Sequence, residues 1–237
     1  MPNYMKRLGI LGSTGSIGRS CLRVVAEWPE RFPIVSLTAG ENVDLMAAQV
    51  MATKPAFVSM ATEQAAHLLR IRLQEANCRS LPEIAFGPEG MKKAATLPQV
   101  DLVLSSTVGV AGLLATYEAV VAGKQVALAN KEVLVAAGEL VTAAARERGI
   151  ELLPVDSEHN GVHQCLRAGR KDEFHNDRTG GQGDKQGQQR GVETEIRFRA
   201  GDSLGHQRRI EAKERMLVLV HIRSIAGESG VTLSRKR

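Results

Sequence analysis

Short apolar runs alternate with longer amphipathic stretches along the first 169 residues of the chain. The apolar runs are rich in Val, Ile and Leu, which is typical of strands buried on both faces of a parallel sheet. The longer stretches repeat their apolar positions with the period of a helix. The predicted strands are 8–11, 34–39, 56–60, 83–86, 101–105, 125–129 and 151–155, and the predicted helices are 16–27, 43–53, 62–76, 89–95, 111–122 and 131–148.

This alternation predicts an α/β fold, with a Rossmann-like, doubly wound and mostly parallel sheet. After Gly169 the alternation stops. The stretch "HNDRTGGQGDKQGQQRG" is polar and rich in Gly and Gln, so it has too little apolar surface to offset the entropy of ordering. We therefore expect a poorly structured tail over 170–237.

Charge divides the chain at the same place. Residues 1–169 contain 16 Lys and Arg against 16 Asp and Glu, whereas residues 170–237 contain 15 against 10, so the net charge of +5 belongs to the tail. Its only aromatic residues are Phe174 and Phe198, which is thin support for nucleic-acid binding. Nucleic acid is therefore not an expected partner.

Membrane and secretory signals are not expected either. No run approaches the roughly 18 apolar residues of a membrane span, and the start lacks a secretory apolar segment with a cleavage site. The three cysteines are far apart and lack the spacing of metal ligands, so we interpret them as reduced structural thiols. Together these features favour a cytoplasmic protein.

Three glycines follow the first predicted strand and open the first predicted helix. A diphosphate needs such a loop, because backbone amides at a helix N-terminus point at it and side chains at the glycines would block its approach. The three-residue spacing departs from G-x-G-x-x-G, and it is also compatible with a turn that only packs helix against strand. The glycines are Gly12, Gly15 and Gly18, and the neighbouring hydroxyls suited to phosphate oxygens are Ser13, Thr14 and Ser16.

An acid, Glu41, follows the second predicted strand, where a ribose-reading side chain is expected. Its carboxylate could accept the ribose 2′-hydroxyl of NAD and would repel the 2′-phosphate of NADP. The alternative is that Asn42 caps the next helix while Glu41 lies near the positive end of its dipole. The sequence leaves both interpretations open.

Two further acids, Asp156 and Glu158, follow the last predicted strand. At positions i and i+2 of an extended segment they point to the same side and can share one cation. Oxygen ligands favour a hard ion such as Mg²⁺ or Mn²⁺. A solvated acidic turn is the alternative. Lys131, after the preceding strand, would supply a positive charge for an anionic substrate at the same edge.

The segments "GSTGSIG", "VGVAGL", "ALANKE", "LLPVDSEH" and "HQCLRAG", in this order, resemble the 1-deoxy-D-xylulose 5-phosphate reductoisomerase family over about residues 5–169. The resemblance implies an NADPH-binding domain over 1–154, the start of a catalytic domain over 155–169, and an anomalous tail over 170–237. It implies conversion of 1-deoxy-D-xylulose 5-phosphate, a small phosphorylated sugar, to 2-C-methyl-D-erythritol 4-phosphate in isoprenoid biosynthesis. NADPH and Mg²⁺ or Mn²⁺ are the implied cofactors, and a homodimer is the implied assembly.

The resemblance also implies roles for individual residues. Glu41 departs from it, because the family often has a basic or small residue there. The diphosphate contacts would be Thr14, Gly15, Ser16 and Ile17, and the contacts at the adenosine ribose would be Gly40, Glu41 and Asn42. Asn130 and Glu132 would contact the cofactor, Lys131 and Ser157 the substrate, and Asp156 and Glu158 the metal, with Lys131, Ser157 and Glu158 forming the catalytic set.

The resemblance ends at Gly169. The family continues with a Gly- and Ser-rich phosphate loop and a segment that supplies Ser, Asn, Lys and a third acidic metal ligand, and neither motif follows in this chain. We therefore expect cofactor binding without appreciable turnover. A shifted reading frame or a divergent domain would each account for the change.

Two other functions stay open on the sequence. One is a non-catalytic dinucleotide-binding module whose basic tail binds an acidic partner or nucleic acid. The other is a different NAD(P)-dependent dehydrogenase that shares only the nucleotide fold. The segment from Asp156 to His159 argues against the second, because simple nucleotide binding has no use for it.

Overall fold

The computed structural model describes residues 5–155, which form one seven-stranded sheet with helices on both faces. All seven strands are parallel, so the predicted Rossmann-like fold is confirmed and its sheet is parallel throughout. The strands are Leu8–Leu11 (β1), Ile34–Ala39 (β2), Phe57–Met60 (β3), Glu83–Phe86 (β4), Leu102–Ser105 (β5), Gln125–Leu128 (β6) and Leu152–Pro154 (β7).

The strand order is β4-β3-β2-β1-β5-β6-β7, so the chain winds outward in one direction to β4 and then returns to the other side of β1. Every residue of β1, β2, β3 and β5 is buried, as the apolar runs predicted for strands covered on both faces. Among the described strands β7 lies at the edge of the sheet, and it contains Pro154, a residue that edge strands tolerate.

Six α-helices connect the strands, and they divide evenly between the two faces of the sheet. Apolar residues of α1, α2 and α3 share one buried cluster with the sheet, and those of α4, α5 and α6 share the other. The sheet is therefore doubly wound, as predicted. The helices are Ser16–Val25 (α1), Val43–Thr53 (α2), Glu63–Glu75 (α3), Gly87–Thr96 (α4), Leu113–Val121 (α5) and Glu132–Glu147 (α6).

Local signals account for several helix ends. The Asn42 side chain caps the start of α2, which ends at Thr53 and has Lys54, immediately before Pro55, as its C-cap. A residue before proline is disfavoured in helical conformation, and Lys54 is left-handed with a φ of 49°. Pro88 lies in the first turn of α4, where the missing N–H of proline costs no helical hydrogen bond.

Two predicted helices differ from the structure by more than the position of their end residues. The segment predicted as one helix over 111–122 is a 3-10 helix at Gly109–Gly112 followed by α5. The helix predicted over 131–148 is kinked at Ala137, whose φ of −147° and ψ of 32° are not helical. The next residue, Gly138, weakens the helix there because it has no side chain to restrict the backbone.

Within residues 5–155, no helix is long and apolar enough to cross a membrane. The tail predicted over 170–237 lies outside the described residues, and the predicted domain boundaries stay predictions.

Candidate functional site

A crevice is expected where the winding of the sheet reverses, between the carboxyl ends of β1 and β5. The loop after β1, which we call the glycine loop (residues 12–18), lies beside the segment that follows β5. Ser106 joins them: its backbone amide and its hydroxyl both donate to the carbonyl of Leu11, at 3.0 and 2.7 Å. The predicted phosphate loop therefore lies at the switch point of the sheet.

Gly12 and Gly18 are needed for the packing of the glycine loop itself. Gly12 has a φ of +82°, and a Cβ there would lie 2.7 Å from the carbonyl oxygen of Ser106. A Cβ at Gly18 would overlap the carbonyl oxygen of Gly12. The close packing at Gly12 and Gly18 agrees with a turn that packs helix against strand. It does not exclude a ligand, because dinucleotide loops need the same close approach of helix and strand.

Gly15 is exposed and precedes α1 as its N-cap, although a Cβ there would still lie 3.3 Å from the carbonyl oxygen of Gly12. It has no side chain to occupy the first amides of the helix, which have no partner within the helix. Ser16 is exposed and Thr14 and Ile17 are half-buried around this end. The open surface above Gly15, the free amides and the positive end of the helix dipole fit a diphosphate group.

Ser13 does not contribute its hydroxyl to this surface. The side chain is fully buried, and its Oγ donates to Oε1 of Gln49 at 2.6 Å. The prediction that Ser13 offers a hydroxyl to phosphate oxygens is therefore wrong, because its hydroxyl points into the protein. On the backbone, the amides of Gly12 and Ser13 donate to the carbonyl of Thr38 in β2, at 3.1 and 2.8 Å.

Gly40, Glu41 and Asn42 are exposed and follow β2, the strand that accepts hydrogen bonds from the glycine loop. Oδ1 of Asn42 accepts from the amide of Leu45 at 3.1 Å, so the interpretation of Asn42 as a helix cap is confirmed. A Cβ at Gly40 would meet nothing within 4 Å. The role of these residues at an adenosine ribose stays a prediction.

Asn130 lies after β6 and is 3% exposed. Its Nδ2 donates to the carbonyl of Gly109 at 2.6 Å, and its Oδ1 accepts from the amide of Glu132 at 3.1 Å. The side chain thus joins the segment after β5 to the start of α6. Lys131 and Glu132 are exposed at that start. Contacts of these three residues with cofactor or substrate stay predictions.

The predicted metal and substrate residues Asp156, Ser157 and Glu158 lie outside the described residues. Val155, which precedes them, donates from its amide to the carbonyl of Leu128 at 2.9 Å, so β7 ends at the same edge as β6. Among residues 5–155 no cluster of three or more His, Cys, Asp or Glu is suited to hold a metal ion. The metal site therefore stays a prediction from the sequence.

Apolar residues that the sequence reasoning missed are exposed on neighbouring segments. Val108 and Val110 belong to the segment after β5 and are 92% and 64% exposed, and Val135 in α6 is 86% exposed. The 3-10 helix and α6 pack against each other. Exposed apolar groups of this size often mark a surface that a ligand or another part of a protein covers. The signal available in the sequence was the position of Val108 and Val110 in "TVGVAGL", outside any buried periodicity.

The chain is similar to a well-defined set of proteins. The family model described as 1-deoxy-D-xylulose 5-phosphate reductoisomerase matches residues 8–138. The reductoisomerase of Solibacter usitatus is 48% identical over 169 residues, which are 70% of this chain and 43% of that protein. The reductoisomerase of Symbiobacterium thermophilum is 52% identical over 161 residues, 68% of this chain and 42% of that protein.

Solved structures give the same result. A crystal structure of DOX-P reductoisomerase in complex with NADPH, fosmidomycin and magnesium has a TM-score of 0.65 at 40% identity, covering 68% of this chain and 39% of that one. The Zymomonas mobilis reductoisomerase in complex with NADPH has a TM-score of 0.62 at 40% identity, covering 68% and 41%. The chain thus spans about two fifths of the length of the relatives that it matches.

Proposed function

Because this chain belongs to the 1-deoxy-D-xylulose 5-phosphate reductoisomerase family, we propose that its described domain binds NADPH at the glycine loop. One observation carries the proposal: the base of the loop is packed tightly at Gly12 and Gly18, while its outer end at Gly15 leaves the first amides of α1 open. A diphosphate fits that arrangement. Two of the similar solved structures are complexes with NADPH.

The adenosine end of the cofactor would lie over Gly40, Glu41 and Asn42, which follow the strand next to β1. Gly40 leaves open space there. Glu41 offers an exposed carboxylate, which favours a ribose hydroxyl over a phosphate. NADPH is proposed as the cofactor because of the family. Glu41 is expected to make the preference for NADPH over NADH in binding affinity smaller.

The reaction proposed for the family site converts 1-deoxy-D-xylulose 5-phosphate to 2-C-methyl-D-erythritol 4-phosphate. When bound, NADPH supplies a hydride and Mg²⁺ or Mn²⁺ supplies charge that polarises a chelated hydroxyketone. Asp156 and Glu158 would hold the cation, and Ser157 would donate to the substrate. Lys131, exposed at the start of α6, would attract the anionic substrate.

We further propose that this chain binds cofactor with weak or no turnover. The sequence after Gly169 lacks the phosphate loop and the Ser-Asn-Lys-Glu segment that the family resemblance implies. Without a grip on the substrate phosphate, the remote binding energy that organises the reaction is lost.

A fluorescence titration tests the cofactor proposal. The full chain is expected to quench or shift nicotinamide emission saturably with NADPH, and less strongly with NADH. Ser16→Glu should abolish this binding, because it places a carboxylate at the open start of α1. Gln64→Glu is the matched control, since it adds the same charge at the exposed first turn of α3. Equal binding by the two variants would contradict the proposal.

An absorbance assay at the nicotinamide band tests the turnover proposal separately. NADPH, 1-deoxy-D-xylulose 5-phosphate and Mn²⁺ are mixed with chain that the titration has shown to bind NADPH. We expect no appreciable oxidation of NADPH. Turnover at ordinary enzyme rates would show that the proposal of weak or no turnover is wrong, and it would leave the proposal of NADPH binding unaffected.

A further inference from the structure

A glutamine is buried in the apolar face of α2. Gln49 is 7% exposed, and its neighbours on the same face, Met46 and Val50, are 0% and 1% exposed. A buried amide costs free energy unless its donor and acceptor are both hydrogen-bonded. The side-chain amide of Gln49 therefore needs specific hydrogen-bond partners within this apolar face.

That partner is a single residue of the glycine loop. Oε1 of Gln49 accepts from Oγ of Ser13 at 2.6 Å, and Nε2 of Gln49 donates to the carbonyl oxygen of Ser13 at 2.9 Å. The Ser13 amide donates to the carbonyl of Thr38 at 2.8 Å. Every polar group of Ser13 is thus held, two of them by one side chain from another helix.

This pair of hydrogen bonds determines where the open end of the glycine loop points. Ser13 lies two residues before Gly15, the N-cap residue of α1. Movement of Ser13 would therefore change the direction of the first amides of the helix. Without Gln49, Thr38 would hold the backbone amides of Gly12 and Ser13, but no hydrogen bond from Gln49 would fix the direction of the Ser13 carbonyl.

We infer that Gln49 is a positioning residue for the dinucleotide, acting through Ser13; this rests on the proposed function of the glycine loop. A loop held in its binding conformation loses less conformational entropy when the diphosphate binds. Glutamine suits the task because it presents a donor and an acceptor at one end. Glutamate lacks the donor, and methionine of similar length lacks both strong groups.

The test compares Gln49→Met with Ser36→Ala in the full chain. The Ser36 hydroxyl is also buried and donates to the carbonyl of Ala94 at 2.7 Å, but it faces α4 on the other side of the sheet. At a temperature where circular dichroism shows each variant folded, Gln49→Met is expected to weaken NADPH binding about tenfold. Ser36→Ala should lower the melting temperature without weakening binding.

Hydrogen exchange without cofactor gives a second readout. Amides of residues 12–18 should exchange faster in Gln49→Met than in wild type, and should be unchanged in Ser36→Ala. If Gln49→Met does not fold, Ser13→Ala carries the test, since it removes one of the two hydrogen bonds and should give a smaller change in the same direction.

Two results would overturn the inference: unchanged exchange in the glycine loop, or equal weakening of NADPH binding by Gln49→Met and Ser36→Ala. A wild-type chain that does not bind NADPH would instead refute the proposed function. The exchange measurement would then still decide whether Gln49 holds the loop.

Discussion

The side-chain amide of Asn130 donates to the backbone carbonyl of Gly109 at 2.6 Å, and so joins the segments that follow β5 and β6. The same side chain accepts from the amide of Glu132 at 3.1 Å. A buried asparagine with donor and acceptor both occupied connects the switch-point segment to the start of α6, where Lys131 and Glu132 are exposed.

Asn130→Asp is expected to lower the free energy of unfolding by about 1–3 kcal/mol. The carboxylate keeps the acceptor for Glu132 but loses the donor, and it faces the carbonyl oxygen of Gly109. Asn42→Asp is the control, because Asn42 is exposed and its cap uses only an acceptor. Urea unfolding checks this, and equal losses in the two variants would contradict a special role for the donor.

Gly12→Ala should destabilise the domain and abolish NADPH binding. The residue has a φ of +82°, and the new Cβ would lie 2.7 Å from a backbone oxygen, so about 1–3 kcal/mol of strain is expected. Gly40→Ala is the stability control, since a Cβ there meets nothing within 4 Å. A Gly12→Ala chain as stable as Gly40→Ala would refute the packing argument.

Titration of Gly40→Ala with NADPH also tests whether Gly40 contacts the cofactor. If Gly40 contacts the adenosine end, this variant should bind NADPH less tightly while it melts at the wild-type temperature.

Glu41→Gln should improve NADPH binding relative to NADH. Removal of one exposed charge near the 2′-phosphate is worth about 1 kcal/mol at low salt, which is about fivefold in affinity. Asp44→Asn is the matched control, because Asp44 is an exposed acid in the first turn of α2, the helix that follows Glu41. Titrations of both variants with NADPH and NADH check the prediction. If Asp44→Asn changes the relative affinity for NADPH as much as Glu41→Gln does, the effect comes from overall charge and not from Glu41.

The ion pair between Arg7 and Asp101 lies at the amino ends of β1 and β5, and it predicts that the stability of the fold depends on pH. The Arg7 guanidinium donates two hydrogen bonds of 2.9 Å to the carboxylate and holds the pKa of Asp101 below its usual range. The ionised carboxylate therefore stabilises the fold above about pH 4, the ordinary range of aspartate, and this contribution is lost as the pH falls through the lowered pKa.

Asp101→Asn should accordingly lower the urea midpoint at neutral pH, and the difference from wild type should disappear in acid. Both partners are more than a third exposed, so solvent screening keeps the effect small. Glu83→Gln, which removes the more exposed pair with Lys93, should move the midpoint less. A gap between Asp101→Asn and wild type that persists unchanged in acid would contradict the assignment to this carboxylate.

Much of the fold follows from local sequence signals. The predicted strands over 8–11, 34–39 and 83–86 and the predicted helix over 43–53 match the structure to the residue. The kink at Ala137 was not predicted. Helical periodicity continues through it, and Gly138, which weakens the helix at that point, does not interrupt the apolar pattern.

The candidate site was predicted only in part. The glycine loop was found because its glycines, strand and helix are contiguous in sequence. The hydroxyl of Ser13 was assigned to the wrong side, since its partner Gln49 lies 36 residues away on another helix.

The sequence by itself determined the order of strands and helices, the position of the glycine loop and the likeness to a known family. Each of these depends on neighbours along the chain or on residue type. The tertiary structure alone decided which polar side chains face the loop surface and which hold it from beneath. Hydrogen bonds such as those of Gln49 with Ser13 and of Asn130 with Gly109 join separate elements, and they exist only once those elements have packed together.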